Sequence, residues 1–474
     1  MDGTIVRRLG FVDILVASVF TGAFFFIALL LYQRAKEHPM NSLLRKAHRV
    51  DGFIQKQLAK NLYREDFDLL PPVMGEGDDL YSLEKCGSVM ERYGFFSVEV
   101  TGTEQDIDVM VSPKMFAVRD LDVDETRTLP VGFVWVRMSN LLKQIATRTS
   151  DLLEVLKEAN QQFVSASAIY QHFLRIAQSR SEDLDFHVVK NEPAVTFKAR
   201  ELHQERYGYM RVIDVAVSLT FSAWPNVATE WLNRANRESH LLSIGTIQKI
   251  AGSGCHLVYK PSGLSEDPEL DWRFSFSKAE RTLLQYHSDK HALKLCYIML
   301  RYAYKKHLKP RLDTNKVLAS YYLKTLFLWL AETETGFDYY NLDDRRLGGL
   351  FEFMVKKLID SYKKQLLPHY FIRQWNLLRD FAKEDLKQVL DFLEDLLQNS
   401  KDYVTYIRDT RKYVAPLAKQ NGGPYNELLM IIDESYTTYL LTQVLVIATS
   451  TFASLVFVKC VLNLFSLDLA LCSL

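Results

Sequence analysis

The order of patterns along these 474 residues predicts an α+β fold, a mixed sheet followed by an all-helical lobe. Three observations carry it. Short β-rich runs crowd residues 81–225, long helical periods take over from about 278 to 399, and an uncharged apolar run stands near each end.

The first apolar run, residues 14–32, has no charge and nearly covers a bilayer core of roughly 30 Å at about 1.5 Å per residue. It predicts an N-terminal transmembrane anchor over 1–36; a cleaved signal peptide is the alternative, and no small-residue cleavage site follows the run. Residues 37–80 read as a lead-in helix and linker. Leu43, Leu44, Val50, Phe53, Ile54, Leu58 and Leu62 recur near the helical period until Pro71 and Pro72 break it.

The mixed core is expected over 81–277, with strands at 95–100, 107–111, 131–136 and 212–217 and a helical stretch at 139–179. The helical lobe follows over 278–400, then a linker over 401–434. A second uncharged run, 435–458, opens a C-terminal transmembrane segment over 435–474. Arg34, Lys36, Arg45, Lys46 and Arg49 outnumber Arg7 and Arg8 across the first run, so a two-span membrane protein with its body facing the cytosol is the expectation.

Lys+Arg and Asp+Glu both count 58, which excludes a bulk electrostatic attraction to nucleic acid or anionic lipid and leaves only local patches. The five cysteines form no CxxC pair and no zinc-ligand spacing, which reads as a reducing compartment without a disulfide framework. His287 and His291 read as surface histidines.

The chemistry concentrates in carboxylates. In residues 105–111 Asp106 and Asp108 alternate with Ile107 and Val109, so on a strand the two carboxylates share one face while the apolar pair enters the core. Adjacent carboxylates repel unless a cation lies between them, and Mg²⁺ (or Mn²⁺) takes such hard oxygen donors. Asp214 is a further carboxylate inside an apolar strand, where an unpaired charge is costly. A solvated strand face is the alternative for the Asp-x-Asp pair. Gly87-Ser88 upstream suits a phosphate-cradling turn, or an ordinary one.

The order Gly87-Ser88, Asp106-x-Asp108, Asp214 and Trp224-Pro225 resembles the Mab (male-abnormal) family that includes cyclic GMP-AMP synthase. Trp272-Arg273-Phe274-Ser275-Phe276-Ser277 with Glu280 looks like that family's Trp-Arg-x-Ser-x-Ser-x-x-Glu signature. Ser320-Tyr321-Tyr322-Leu323-Lys324 and His369-Tyr370-Phe371-Ile372 extend the resemblance over about 81–397.

What the resemblance implies is a nucleotidyltransferase fold and an enzyme joining two nucleoside triphosphates, ATP and GTP, into a cyclic dinucleotide, which the two apolar runs would anchor in a membrane. Asp106, Asp108 and Asp214 would hold two magnesium ions, with Gly87 and Ser88 on the donor triphosphate. Tyr321 would stack on a base, Ser320 and Lys324 would lie near phosphate or ribose, and Arg273, in the same signature as Ser275, would read a base edge. A core aromatic is the alternative for Tyr321, and a structural ion pair for Arg273. Ala216 stands where the vertebrate synthase has a base-contacting hydroxyl residue.

The resemblance further implies innate immune sensing of double-stranded RNA or DNA. The candidate grip is Arg301, Lys305, Lys306, Lys309 and Arg311, with Lys356, Lys357, Lys363 and Lys364 as a second cluster; solvated helix faces are the alternative for both. The competing function is a catalytically inactive membrane adaptor that keeps the fold and binds nucleotide.

Overall fold

A computed structural model describes residues 39–57, 81–86, 104–113, 121–125, 129–138, 162–180, 186–199, 210–238, 242–286, 292–311, 317–333 and 347–433. In chain order α1 is Pro39–Gln57, β1 Tyr81–Cys86, β2 Glu104–Pro113, β3 Val123–Asp124, β4 Phe133–Val136 and α2 Ala166–Arg180. The hairpin β5 (Phe186–Asn191) and β6 (Ala194–Ala199) leads to β7 (Met210–Phe221), α3 (Thr229–Glu238) and α4 (Ile244–Gly252). Strands β8 (Cys255–Tyr259) and β9 (Trp272–Ser275) complete the sheet.

The strands form one mixed sheet in the order β1-β2-β7-β8-β9-β4-β3, with β6 pairing on β7 and β5 on β6. β2 and β7 run parallel, and the other pairs are antiparallel. Alternation sets the two faces. Val109 and Val111 of β2 and Ile213, Val215, Val217 and Leu219 of β7 enter the main core, whereas Asp108 and Asp214 stay half-buried on the other face.

The helical lobe runs α5 (Ser277–Tyr286), α6 (Ala292–Ala303), a π-helical turn Tyr304–Leu308, α7 (Ser320–Thr333), α8 (Leu347–Lys363), α9 (Lys383–Gln398) and the short α10 (Ser400–Tyr403). The stretch read as a linker is helical instead: α11 (Tyr406–Asn421) and α12 (Gly423–Asp433) meet at Gly422 and Gly423, both at positive φ. Both pack with α1, whose Met40, Leu44, Ala47 and Val50 are buried, so the lead-in helix belongs to the lobe.

The expectation of a two-span membrane protein is corrected. Among the described residues, no helix is long and apolar enough to cross a membrane. The reason is physical: the 19-residue α1 carries Arg45, Lys46, Arg49, Asp51 and Lys56, and the apolar α7 and α12 have 14 and 11 residues. Those two span about 21 and 17 Å, short of the roughly 30 Å required. The apolar runs 14–32 and 435–458 lie outside the described residues, as do the predicted strand 95–100 and His287 and His291.

Candidate functional site

The register of the central strands builds the site. Asp108 on β2 stands opposite Asp214 on β7, and Asp214 stands opposite Thr196 on β6. Directly paired residues share a face, so the two carboxylates sit side by side at one strand spacing, about 5 Å. At that separation two ionised carboxylates near a protein surface repel by about 3 kcal/mol.

Thr196, fully buried, donates its hydroxyl to Asp214 Oδ1 at 2.5 Å and accepts from Asn191 Nδ2 at 3.1 Å. This bond to a carboxylate, worth about 1.5–3 kcal/mol, aims Asp214 and offsets part of the repulsion. Asp106 stands two positions before Asp108, opposite Val212, and only its strand position is described. Among the described residues no group of three or more His, Cys, Asp or Glu is arranged to hold a metal ion.

Further along the same face the floor becomes apolar, with Met110, Val258 and half-buried Ala216 in contact with one another apart from the main core. Beyond it a row runs from Ser218 through Val258 to Arg273 and Phe133. Arg273 therefore lies roughly 13 Å along the strands and roughly 10 Å across them from Asp214. Ser275, half-buried, is opposite His256, and Ser277 at the start of α5 approaches His256 Nδ1 at 3.5 Å and Met110 Sδ at 3.6 Å.

The lobe closes over this end. Burial pulls the Arg273 guanidinium below its usual value, against Tyr321, Tyr322 and Glu280, which favour its charge. Tyr321, in the first turn of α7 after Ser320, hydrogen-bonds His369 Nε2 at 2.6 Å; burial, then the charge of Glu280, pushes its hydroxyl well up. Lys324 Nζ lies 2.6 Å from Glu280 Oε2 and 5.7 Å from the Tyr321 ring centre, so the lysine is engaged by the signature glutamate.

Residues 100–286 match the Mab-21 protein nucleotidyltransferase domain, and residues 292–395 match the Mab-21 protein HhH/H2TH-like domain. The chain carries the two Mab-21 domains in tandem. A "Cyclic GMP-AMP synthase-like receptor" of Ctenocephalides felis is 28% identical over 260 residues, 52% of either chain. A protein of the same name from Aethina tumida is 32% identical over 135 residues, 28% of this chain and 31% of that one. "Protein mab-21-like 3" of Xenopus laevis is 30% identical over 129 residues, 27% and 33% of the two chains. The chain thus spans about half the length of the first of these relatives and about a third of the others.

In the Mab-21 nucleotidyltransferase domain the structure brings Asp108 and Asp214 together. It gathers Arg273, Tyr321 and Lys324 at the join with the HhH/H2TH-like domain. Gly87 and Ser88 lie outside the described residues.

The basic set expected to grip nucleic acid does not stay together. Arg301 is buried at 6% exposure, with no partner for Nε and Nη1 among the described residues. Lys306 is ion-paired to buried Asp409 of α11, where Tyr302 and Thr405 also bond. Arg301 is thus committed to the lobe interior, and half-buried Lys306 to Asp409. Lys309 and Arg311 are exposed, and Lys305 is half-buried. In the second cluster Lys356 pairs with Glu352 and Lys363 with Glu394.

Sequence reasoning missed Thr196, whose strand carries no chemical motif, and the hydrogen bond between His369 and Tyr321. The signal for Thr196 was a hydroxyl residue in an otherwise apolar run, which only the register turns into a site residue.

Proposed function

We propose that this chain is a cyclic GMP-AMP synthase-like nucleotidyltransferase that joins two nucleoside triphosphates into a cyclic dinucleotide. The observation that carries it is the Asp108–Asp214 pair on parallel strands, with a guanidinium further along the same sheet face and an aromatic ring beside it. Hard oxygen donors side by side fit Mg²⁺ or Mn²⁺, which Asp106, Asp108 and Asp214 would hold and which would supply charge neutralisation and Lewis acidity at phosphate.

The chain's own groups do the rest. Thr196 fixes the direction of Asp214, the Met110, Ala216 and Val258 floor offers an apolar surface, and Arg273 offers guanidinium donors to a base edge. The Tyr321 ring stacks on a base, and its hydroxyl is held by the protein. Lys324 exchanges Glu280 for phosphate or ribose, Ser275 and Ser320 offer hydroxyls, and Gly87 and Ser88 meet the donor triphosphate. The relatives' printed word "receptor" supports synthesis that answers to a ligand, and double-stranded RNA or DNA is the partner proposed here for the lobe's exposed cations.

The test incubates the full chain with labelled ATP and GTP, Mg²⁺ or Mn²⁺, and duplex RNA or DNA, beside Asp108→Asn and Asp214→Asn. A phosphatase-resistant product that falls at least about a thousandfold in either variant is expected. Nucleotide binding without product under every condition would replace the enzyme with an inactive adaptor that keeps the fold.

A further inference from the structure

We propose that His369 is a positioning residue that fixes the Tyr321 ring for the nucleobase; this rests on the stacking reading of Tyr321 given above. His369 is buried in the loop between α8 and α9. That loop is braced by Asn376, whose Oδ1 accepts from the Leu367 and Leu378 amides at 2.9 and 3.1 Å while its Nδ2 donates to Gln365 O at 2.8 Å.

His369 Nδ1 accepts from two amides, Phe371 N at 3.2 Å and Ile372 N at 3.0 Å. A ring nitrogen that accepts two N–H groups carries no proton, so the neutral imidazole bears its hydrogen on Nε2. That N–H points at the Tyr321 hydroxyl, 2.6 Å away, and donates to it. Burial, then the charge of Arg273, pushes the imidazole down to about 3, so the same tautomer persists through neutral pH.

The ring is braced from behind. Trp375 stacks on it with centroids 5.0 Å apart and planes 7° apart. Trp375 in turn lies against Gly132, where an added Cβ would stand 2.7 Å from the indole. Gly132 O accepts from Phe274 N at 3.0 Å, next to Arg273. A column Gly132, Trp375, His369, Tyr321 therefore joins the strand that carries Arg273 to the helix that carries the tyrosine. It sets the distance between the two groups that would hold one base.

Losing one such buried bond corresponds to a roughly three- to tenfold loss of nucleotide affinity. The experiment measures MgATP and MgGTP affinity of the full chain by isothermal titration calorimetry, with a thermal melt of each variant. His369→Asn keeps an acceptor for the two amides but is too short to reach the tyrosine. Tyr321→Phe removes the same bond from the other side, together with the hydroxyl's contact with Thr325, and leaves the loop untouched. Each is expected to weaken binding roughly three- to tenfold, and the double variant no further than Tyr321→Phe alone, because the bond to His369 is already absent there. His369→Gln, whose amide reaches Tyr321, recovers most of the loss, which a merely structural histidine would not do.

Weakened binding in Tyr321→Ala with unchanged binding in Tyr321→Phe and His369→Asn overturns the positioning role and leaves the stacking reading intact. Unchanged binding in Tyr321→Ala, or no binding by the unaltered chain, removes the stacking reading and the positioning role with it.

Discussion

Asp214 has two neighbours in register, and they act in opposite senses. Asp108 on the parallel strand adds a like charge, and Thr196 on the antiparallel strand adds a donor. Two like charges in register suit a cation between them, and the hydroxyl helps to set where the Asp214 carboxylate points. Thr196→Val removes the donor at nearly constant shape. Stability is expected to fall by about 1.5–3 kcal/mol, whereas turnover with saturating Mg²⁺ is expected to fall about tenfold with little change in KM. Steady-state kinetics beside a urea melt separates the two effects, and an unchanged turnover would reduce Thr196 to a core residue. The Asp-x-Asp pattern was legible because alternation exposes carboxylates on one face. Thr196 was not, because β6 touches β7 only through a pairing that no local pattern encodes.

Among the elements, β2, β4 and β7 were legible from their apolar runs, and β8 was not. All five of its residues are buried, with the core on one face and α5 contacting the strand, so no alternation marks it. The helices α11 and α12 escaped for another reason. The Gly422-Gly423-Pro424 corner and the charged surface of α11 read as a linker, whereas burial of Val414, Leu428 and Ile432 makes the pair part of the lobe. The join of the two domains rests on α3 and α7. Buried Arg234 donates to Glu332 Oε1 and Glu230 Oε2 at 2.5 Å each and to Tyr370 O at 2.7 Å, and it stacks 4.3 Å from the centre of the Trp329 ring. The Tyr370 hydroxyl completes the network at Glu332 Oε2, 2.6 Å away. Each of the three guanidinium nitrogens has a partner, so breaking the network from one side is costly. Arg234→Met leaves the Glu332 carboxylate buried and uncompensated and is expected to lose about 3–5 kcal/mol in urea unfolding. Adding Glu332→Gln to that variant is expected to recover part of the loss; a double variant less stable still would mean that Glu332 has another cation.

At the scale of the whole molecule, charge balance hides an uneven surface. Formal net charge is zero, yet the π-helical turn and α11 bring cations together that lie about a hundred residues apart in the chain. Lys306, its charged form disfavoured by burial, is also repelled by Arg408 and Lys412, and His307 is repelled by Lys306, Arg311 and Arg408. Lys309, Arg311, Arg408 and Lys412 are exposed around this point, whereas Asp409 is buried beneath it and Asp395 beside it takes the Tyr403 hydroxyl. The sequence reading found the first half of this patch and placed Arg301 and Lys306 in it; folding removes those two and adds Arg408 and Lys412. A phosphate backbone is gripped by exposed cations and not by buried ones, so the pairs respond differently to substitution. Lys309→Glu with Arg408→Glu is expected to weaken duplex RNA or DNA binding at least tenfold near physiological salt. It should also flatten the plot of log affinity against log salt by about two units, because two phosphate contacts are lost. Lys306→Met is expected to destabilise the lobe instead, since it leaves buried Asp409 with the more distant Arg408, 4.0 Å away, as its cation, and to leave that salt slope unchanged in whatever fraction stays folded. If the double reversal leaves both affinity and slope intact, this face carries no nucleic acid, and the exposed cations are a solvated surface.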